Sequence, residues 1–350
     1  MSNKFCRFLS NGCSFQLDKD KLLVKPCCWY RQGIEFDPVS ELPFKSINNW
    51  TPNCEVCYQQ ELAGQHSFRK ASFEIIPEIN NTVPLALDIN LDMTCNAACV
   101  ICGPESSSTW SKQMSNNKII HIQANSDYQQ YLDKIVSGLD LTQLKRIKFF
   151  GGEPLLTNTH LQLLEKIPYP EQCEIWYTTN ASILPNQTVL DMWKQFKLVF
   201  VEASIDGVEQ QFEYIRWPLP WSKIKNNLLE LKDIAPVNVL FRINHTLNPF
   251  NIYYYDRLEY WIDTEFSTNR LGDPTEINIH PCWGDWALDR TPLNLREEIY
   301  KKYHDHIVTR LLKNSKQQHH DTILKFTDIW DPIRKNSWQT TFPEIVRYFL

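Results

Sequence analysis

Three cysteines fall close together in Cys95-Asn96-Ala97-Ala98-Cys99-Val100-Ile101-Cys102, a CxxxCxxC spacing. A cubane iron–sulfur cluster has four irons and usually takes four cysteines, so three thiolates leave one iron open to another ligand. Catalytic zinc sites keep one position free in the same way, whereas structural sites close all four. The trio therefore reads as an open cluster site, as a zinc site borrowing a fourth ligand, or as three buried structural thiols. Two glycines and a carboxylate follow, in Phe149-Phe150-Gly151-Gly152-Glu153-Pro154. Adjacent glycines let a ligand approach the backbone closely, and the glutamate offers an acceptor to a cationic amine. Thr178-Thr179-Asn180-Ala181 and Ser204-Ile205-Asp206-Gly207 are, taken singly, ordinary turn sequences. Upstream, Cys54-Glu55-Val56-Cys57 has the geometry of a metal-ligand pair, and Cys6, Cys13, Cys27 and Cys28 are its potential partners.

The pattern of apolar residues says what positions these groups. Strands are expected near 85–91, 146–150, 174–179, 198–205, 237–245 and 276–280. Helices are expected near 128–138, 158–167, 187–196, 222–233 and 253–264, with Asn158 and Ser222 as N-caps. Strand–helix repetition predicts a parallel sheet with crossover helices. Six such strands are too few for a complete eight-stranded barrel, which leaves a partial barrel or a doubly wound sheet.

The strands alternate in a way that parallel strands usually do not. Glu202, Ser204 and Asp206 oppose Val201, Ala203 and Ile205; Arg242 and Asn244 oppose Phe241 and Ile243; Glu276, Asn278 and His280 oppose Ile277 and Ile279; Asp88 and Asn90 oppose Leu87 and Ile89. One face is apolar strand after strand, and the other is polar. The polar face is either a solvated sheet surface or a lumen that holds a polar ligand, and an unclosed barrel favours the lumen. All four motifs sit at carboxyl ends of successive strands, where such sheets place their sites.

The chain has 350 residues, 43% of them hydrophobic and 22% charged, with a net charge of −5. That balance excludes a broad nucleic-acid-coating surface, and no apolar run approaches a membrane span. Met1–Cys6 lacks the apolar core of a signal peptide, so a cytoplasmic location is expected. Disulfides are disfavoured there, and nine of the eleven cysteines precede residue 103, which points to metal or redox work. Residues 1–80 read as a small cysteine-rich domain, 81–288 as the strand–helix domain, and 289–350 as a helical extension with an amphipathic helix over 295–312.

CxxxCxxC, then GGEP, then a Thr-Asn turn, then Ser-Ile-Asp-Gly, in this order, resembles the radical S-adenosylmethionine (SAM) superfamily. The resemblance implies a partial (β/α)6 barrel in which Cys95, Cys99 and Cys102 bind a 4Fe–4S cluster and SAM chelates the open iron. It implies that Gly151, Gly152 and Glu153 meet the methionine amine, that Asn180, Ser204 and Asp206 face the ribose and carboxylate, and that Ile101 packs near adenine. Arg242 joins these candidates because strand parity puts it on the polar face with Ser204. The amino-terminal cysteines are similar to a twitch-type auxiliary-cluster domain, a relative of the SPASM group. That likeness implies a second 4Fe–4S cluster on Cys6, Cys27, Cys54 and Cys57, with Cys28 and Cys13 as alternatives and structural zinc as the rival occupant. The implied chemistry is reductive cleavage of SAM to a 5′-deoxyadenosyl radical that takes hydrogen from a substrate, with no side-chain acid or base needed to initiate it. The expected substrate is a peptide or protein side chain, with a small molecule or nucleoside, or a zinc-binding scaffold without catalysis, as rivals. The expected electron donor is external, such as flavodoxin or ferredoxin.

Overall fold

The computed structural model describes residues 6–18, 21–38, 51–64, 66–76, 83–117, 128–268 and 272–350. The expected boundary between residues 80 and 81, and the first five residues, lie outside the described residues.

Strands β4 (Ala86–Asn90), β5 (Arg146–Phe149), β6 (Glu174–Thr179), β7 (Leu198–Ser204), β8 (Val239–Leu247) and β9 (Glu276–Pro281) pair in sequence order, each parallel to the next. Sequential order without a reversal decides between the two expected architectures. A doubly wound sheet reverses direction at a switch point, whereas sequential right-handed crossovers keep the helices on one face. The sheet is therefore a partial barrel, and among the described residues it does not close.

The cysteine-rich segment extends this sheet. β1 (Gly12–Asp18) pairs parallel with β4, and β2 (Lys21–Lys25) and β3 (Ile34–Glu35) continue antiparallel from it. The order is β3-β2-β1-β4-β5-β6-β7-β8-β9. The weak periodicity of residues 12–35 hid three strands that take their register from β4.

Parity holds along the barrel. Val239, Phe241, Ile243 and Leu247 are buried beneath the helices, while Arg242, Asn244 and Thr246 on the other face are half-buried. Much of the polar face is withdrawn from water: Asp88, Arg146, Lys148, Glu202 and Ser204 are all at most 9% exposed, although Glu276 on the edge strand β9 is exposed. That burial makes it a lumen. Buried charges there are paired, as desolvation requires: Arg146 bonds Asp88, Lys148 Nζ lies 2.6 Å from Glu202, and Thr178 donates to Glu202 at 3.0 Å.

Several local expectations shift. β8 begins at Val239, leaving Val237 exposed. The helix Trp221–Ile234 is preceded by Pro220 at the N-cap position, so Ser222 lies inside it, and Asn158 occupies its N-cap without a side-chain bond. The expected helix over 295–312 is two, Leu293–Tyr303 and Ile307–Lys313, broken at His304 with a φ of 45°. A non-glycine residue in that region cannot continue a right-handed helix. Among the described residues no helix is long and apolar enough to cross a membrane.

Candidate functional site

The loop after β4 carries Cys95, Cys99 and Cys102, and backbone groups along it are bonded to the surrounding elements. Thr94 N donates to Asp92 Oδ1 at 2.7 Å, and Cys95 N donates to Ser108 Oγ at 3.0 Å. Thr109 donates to Cys95 O at 2.6 Å, and Trp110 Nε1 donates to Cys99 O at 2.8 Å. The helix that supplies these groups, Ser108–Asn116, is capped by Ser107, whose hydroxyl also reaches Ala97 O. Ala98 N and Val100 N donate to Trp217 O at 2.7 Å and Ile215 O at 2.8 Å, which pins the loop to the end of the helix Glu209–Ile215.

The expected rim motifs meet this loop. Gly152 N donates to Asp92 O at 3.0 Å and Glu153 N to Thr94 O at 2.7 Å. A Cβ on Gly152 would lie 2.8 Å from the carbonyl carbons of Met93 and Thr94, so only glycine permits this approach. Gly151 has a φ of 119°, a conformation that side chains rarely adopt. Asn180 Nδ2 donates to Asn96 Oδ1 at 2.9 Å, and Asn96 Nδ2 donates to Ser182 Oγ at 2.8 Å. The glutamate is turned into the protein. Glu153 Oε1 accepts from Thr179 Oγ1 at 2.7 Å and Leu155 N at 3.1 Å, and Oε2 accepts from Asn180 N at 2.6 Å. Burial raises its pKa against those donors.

Asp206 is fully buried and accepts Thr246 N at 2.7 Å; its Oδ2 lies 2.6 Å from Arg216. Burial opposes the charge of Arg216, and Asp206, Cys99 and Cys102 favour it. Ser204 is buried on the lumen face, and Ile101 is half-buried against the core. Arg242 is drawn to Glu276 at 2.6 Å and stacks over Phe200 and Trp176, at 4.3 and 4.8 Å from the ring centres.

The donor set suits a thiolate-bound iron–sulfur group. Three sulfurs share one short loop, a glycine pair packs directly against the backbone leading into it, and no acid or histidine lies within Cys95–Cys102. Burial pushes Cys95 and Cys102 up to about 12 and raises Cys99, so these thiols ionise only where a cation compensates them. Among the described residues no group of three or more His, Cys, Asp or Glu is gathered tightly for a single metal ion.

A second cysteine set faces one cavity. Cys6, Cys27, Cys54 and Cys57 line it together with Phe8, Trp29, Phe68 and Arg69. Arg69 is held by Glu61 through two 2.8 Å bonds, and Ser67 bonds the same carboxylate. Cys28 turns away: its backbone N donates to Asp88 Oδ2 at 2.8 Å, on the lumen side. Cys13 is buried in the core. The helix Glu55–Leu62 also sends Gln60 to His280 Nδ1 at 3.0 Å, so the cysteine-rich segment reaches the far barrel strand.

From the sequence Arg216 is expected only to shape or cover the substrate mouth, and Asn96 and Arg334 carry no expected role. Asn96 lies between two of the cysteines, and its position was a signal. Arg216 followed the Asp206 motif, and Arg334 had none.

No family model matches the sequence, and no curated relative does. Solved structures are similar in fold. Native anSMEcpe with bound AdoMet is 15% identical at a TM-score of 0.44, over 73% of this chain and 68% of that one. Streptococcus suis SuiB bound to S-adenosylmethionine is 14% identical at 0.39, over 69% of this chain and 48% of that one. TYW1 with a lysine-pyruvate adduct bound is 14% identical at 0.39, over 88% and 89%. The chain thus spans about half the length of SuiB.

Proposed function

We propose that this protein is a radical SAM enzyme with Cys95, Cys99 and Cys102 as the ligands of its SAM-binding 4Fe–4S cluster. Cys95, Cys99 and Cys102 would hold the cluster, which when reduced and with SAM bound would supply one-electron cleavage of the sulfonium to methionine and a 5′-deoxyadenosyl radical able to take hydrogen from the substrate. The observation that carries the reading is the direct bonding of the cysteine loop to the double-glycine bend, through Gly152 N and Glu153 N, and to the Thr-Asn turn, through Asn180. Ordinary turns have no reason to converge on three thiols.

The chain's own residues bind and orient. Gly151 and Gly152 would present the bend to the methionine amine, Gly152 by packing directly on the Met93 and Thr94 backbone, and Glu153 holds the bend against Asn180 and Thr179. Asp206 fixes Arg216 beside Cys99 and Cys102. Ser204, Asn180 and Arg242 line the lumen face where the nucleoside and substrate would lie. The Gln60–His280 bond ties the cysteine-rich segment to β9 beside that space. Cys6, Cys27, Cys54 and Cys57 would hold an auxiliary 4Fe–4S cluster, and an external flavodoxin or ferredoxin would supply electrons. The substrate is a peptide or protein side chain; a lumen of paired charges and amides suits a polar group of that kind.

Protein purified without oxygen should be brown, with about eight irons per chain for two 4Fe–4S clusters. With SAM and dithionite it should form 5′-deoxyadenosine. Changing Cys95, Cys99 and Cys102 together to alanine should abolish that product. Its persistence in the triple variant defeats the assignment.

A further inference from the structure

One buried cation near the cysteine loop has no carboxylate bonded to it among the described residues. Arg334 ends the helix Asp321–Arg334 and is 7% exposed. Its Nη2 donates to Ala98 O at 2.8 Å, inside the CxxxCxxC loop, and to Gln113 Oε1 at 3.1 Å. Its Nε and Nη1 are buried and have no hydrogen-bond partner. The remaining walls are aromatic: the guanidinium carbon lies 4.5 Å from the Trp110 ring centre, 5.1 Å from Trp217 and 5.6 Å from Trp330. Asp331, on the same helix, is engaged elsewhere, by Tyr214 Oη at 2.7 Å and Trp338 N at 2.8 Å. No carboxylate is bonded to Arg334 among the described residues.

A buried charge left unpaired is strongly destabilising, so a guanidinium in this position calls for a nearby negative charge. Arg216, the other cation beside the loop, is already answered by Asp206. Burial opposes the Arg334 charge, and Cys99 of the cysteine loop is, with Tyr214 and Asp331, one of the acidic groups whose ionised form favours it. Three thiolates on an iron–sulfur core make an anion that becomes more negative on reduction, and nearby charge and hydrogen bonds set such a cluster's potential.

We infer that Arg334 is a positioning residue for the site cluster: it clamps the loop at Ala98 and serves as the counter-charge of the thiolate-bound iron–sulfur group. The inference rests on the proposed function and adds to it a residue of the carboxy-terminal helix that sets how readily the cluster is reduced.

The test compares Arg334→Gln and Arg334→Met, which remove the charge, with Arg334→Lys, which keeps it. Each protein is reconstituted with iron and sulfide without oxygen, and the one-electron midpoint is read by EPR from the signal that responds to added SAM. Loss of the charge should lower the reduction constant about tenfold, which is a ~59 mV more negative midpoint, while Arg334→Lys stays near the parent. Loss of cluster iron in the Gln and Met variants with retention in the Lys variant also supports the inference. An unchanged midpoint in either charge-removing variant, an equal shift in Arg334→Lys, or loss of iron in all three overturns it. A parent protein that takes up no SAM-responsive cluster fails the proposed function itself, whereas an intact parent signal with an unmoved midpoint in Arg334→Gln fails this inference alone.

Discussion

Gly152→Ala puts the contact between the double-glycine bend and the cysteine loop to a direct test. The added methyl would lie 2.8 Å from the carbonyl carbons of both Met93 and Thr94. Carbon atoms pack without strain at ~3.5 Å or more, so something must move by on the order of 1 Å. What the methyl meets is backbone, which has no rotamer to change. The displaced segment runs directly into Cys95, whose N and O are fixed by Ser108 and Thr109. Forced packing of this kind costs about 1–3 kcal/mol of stability, and a misplacement of ~1 Å at reacting groups can cost about 100-fold in rate. The expected result is a folded protein with a modestly lower melting temperature and a ~100-fold slower formation of 5′-deoxyadenosine, measured by chromatography with SAM and dithionite. Gly64→Ala is the control: Gly64 also has an unusual backbone, with a φ of 77°, but nothing lies within 4 Å of its would-be Cβ. It should lose stability and keep its rate. A Gly152→Ala protein within threefold of the parental rate would refute the role given to the bend.

Two further outcomes follow from particular side chains. Cys27 lines the cavity with Cys6, Cys54 and Cys57 while Cys28 binds toward Asp88, so Cys27→Ser should lower iron from about eight to about four per chain and Cys28→Ser should leave it unchanged; iron assays that rank the pair the other way reject Cys27 as a ligand. Burial pulls His160, bonded to Tyr177 at 2.6 Å, down to about 4 from 6.5. Its folded pKa lies below its unfolded one, so its contribution is full above pH 6.5 and is lost as pH falls toward 4, up to ~3 kcal/mol. Urea midpoints should therefore fall between about pH 7 and about pH 5, less steeply in His160→Asn, and equal slopes in the two proteins would rule out this source.

Much of the barrel could be read from the order of residues alone. Side-chain alternation along a strand has a period of two, so the opposition of Arg242 and Asn244 to Phe241 and Ile243 is local information and survives folding unchanged. The order of the four motifs, and their places at strand ends, is local in the same sense. What alternation could not say is whether the polar face met water. That depended on the curl of the sheet and on which helices cover it, and the burial of Lys148 and Glu202 answers it.

Contacts between distant segments lay beyond the sequence. Cys27 and Cys28 are neighbours of identical chemistry, and only the bond from the Cys28 backbone to Asp88, 60 residues away, turns one toward the cavity and the other toward the lumen. The strands β1 to β3 have little pattern of their own because their register comes from β4. Arg334 meets Ala98 across 236 residues, and no spacing rule links a helix end to a loop that far back. Spacing carries chemistry when the chain itself sets the distance between groups, whereas packing decides it when the groups come from different elements.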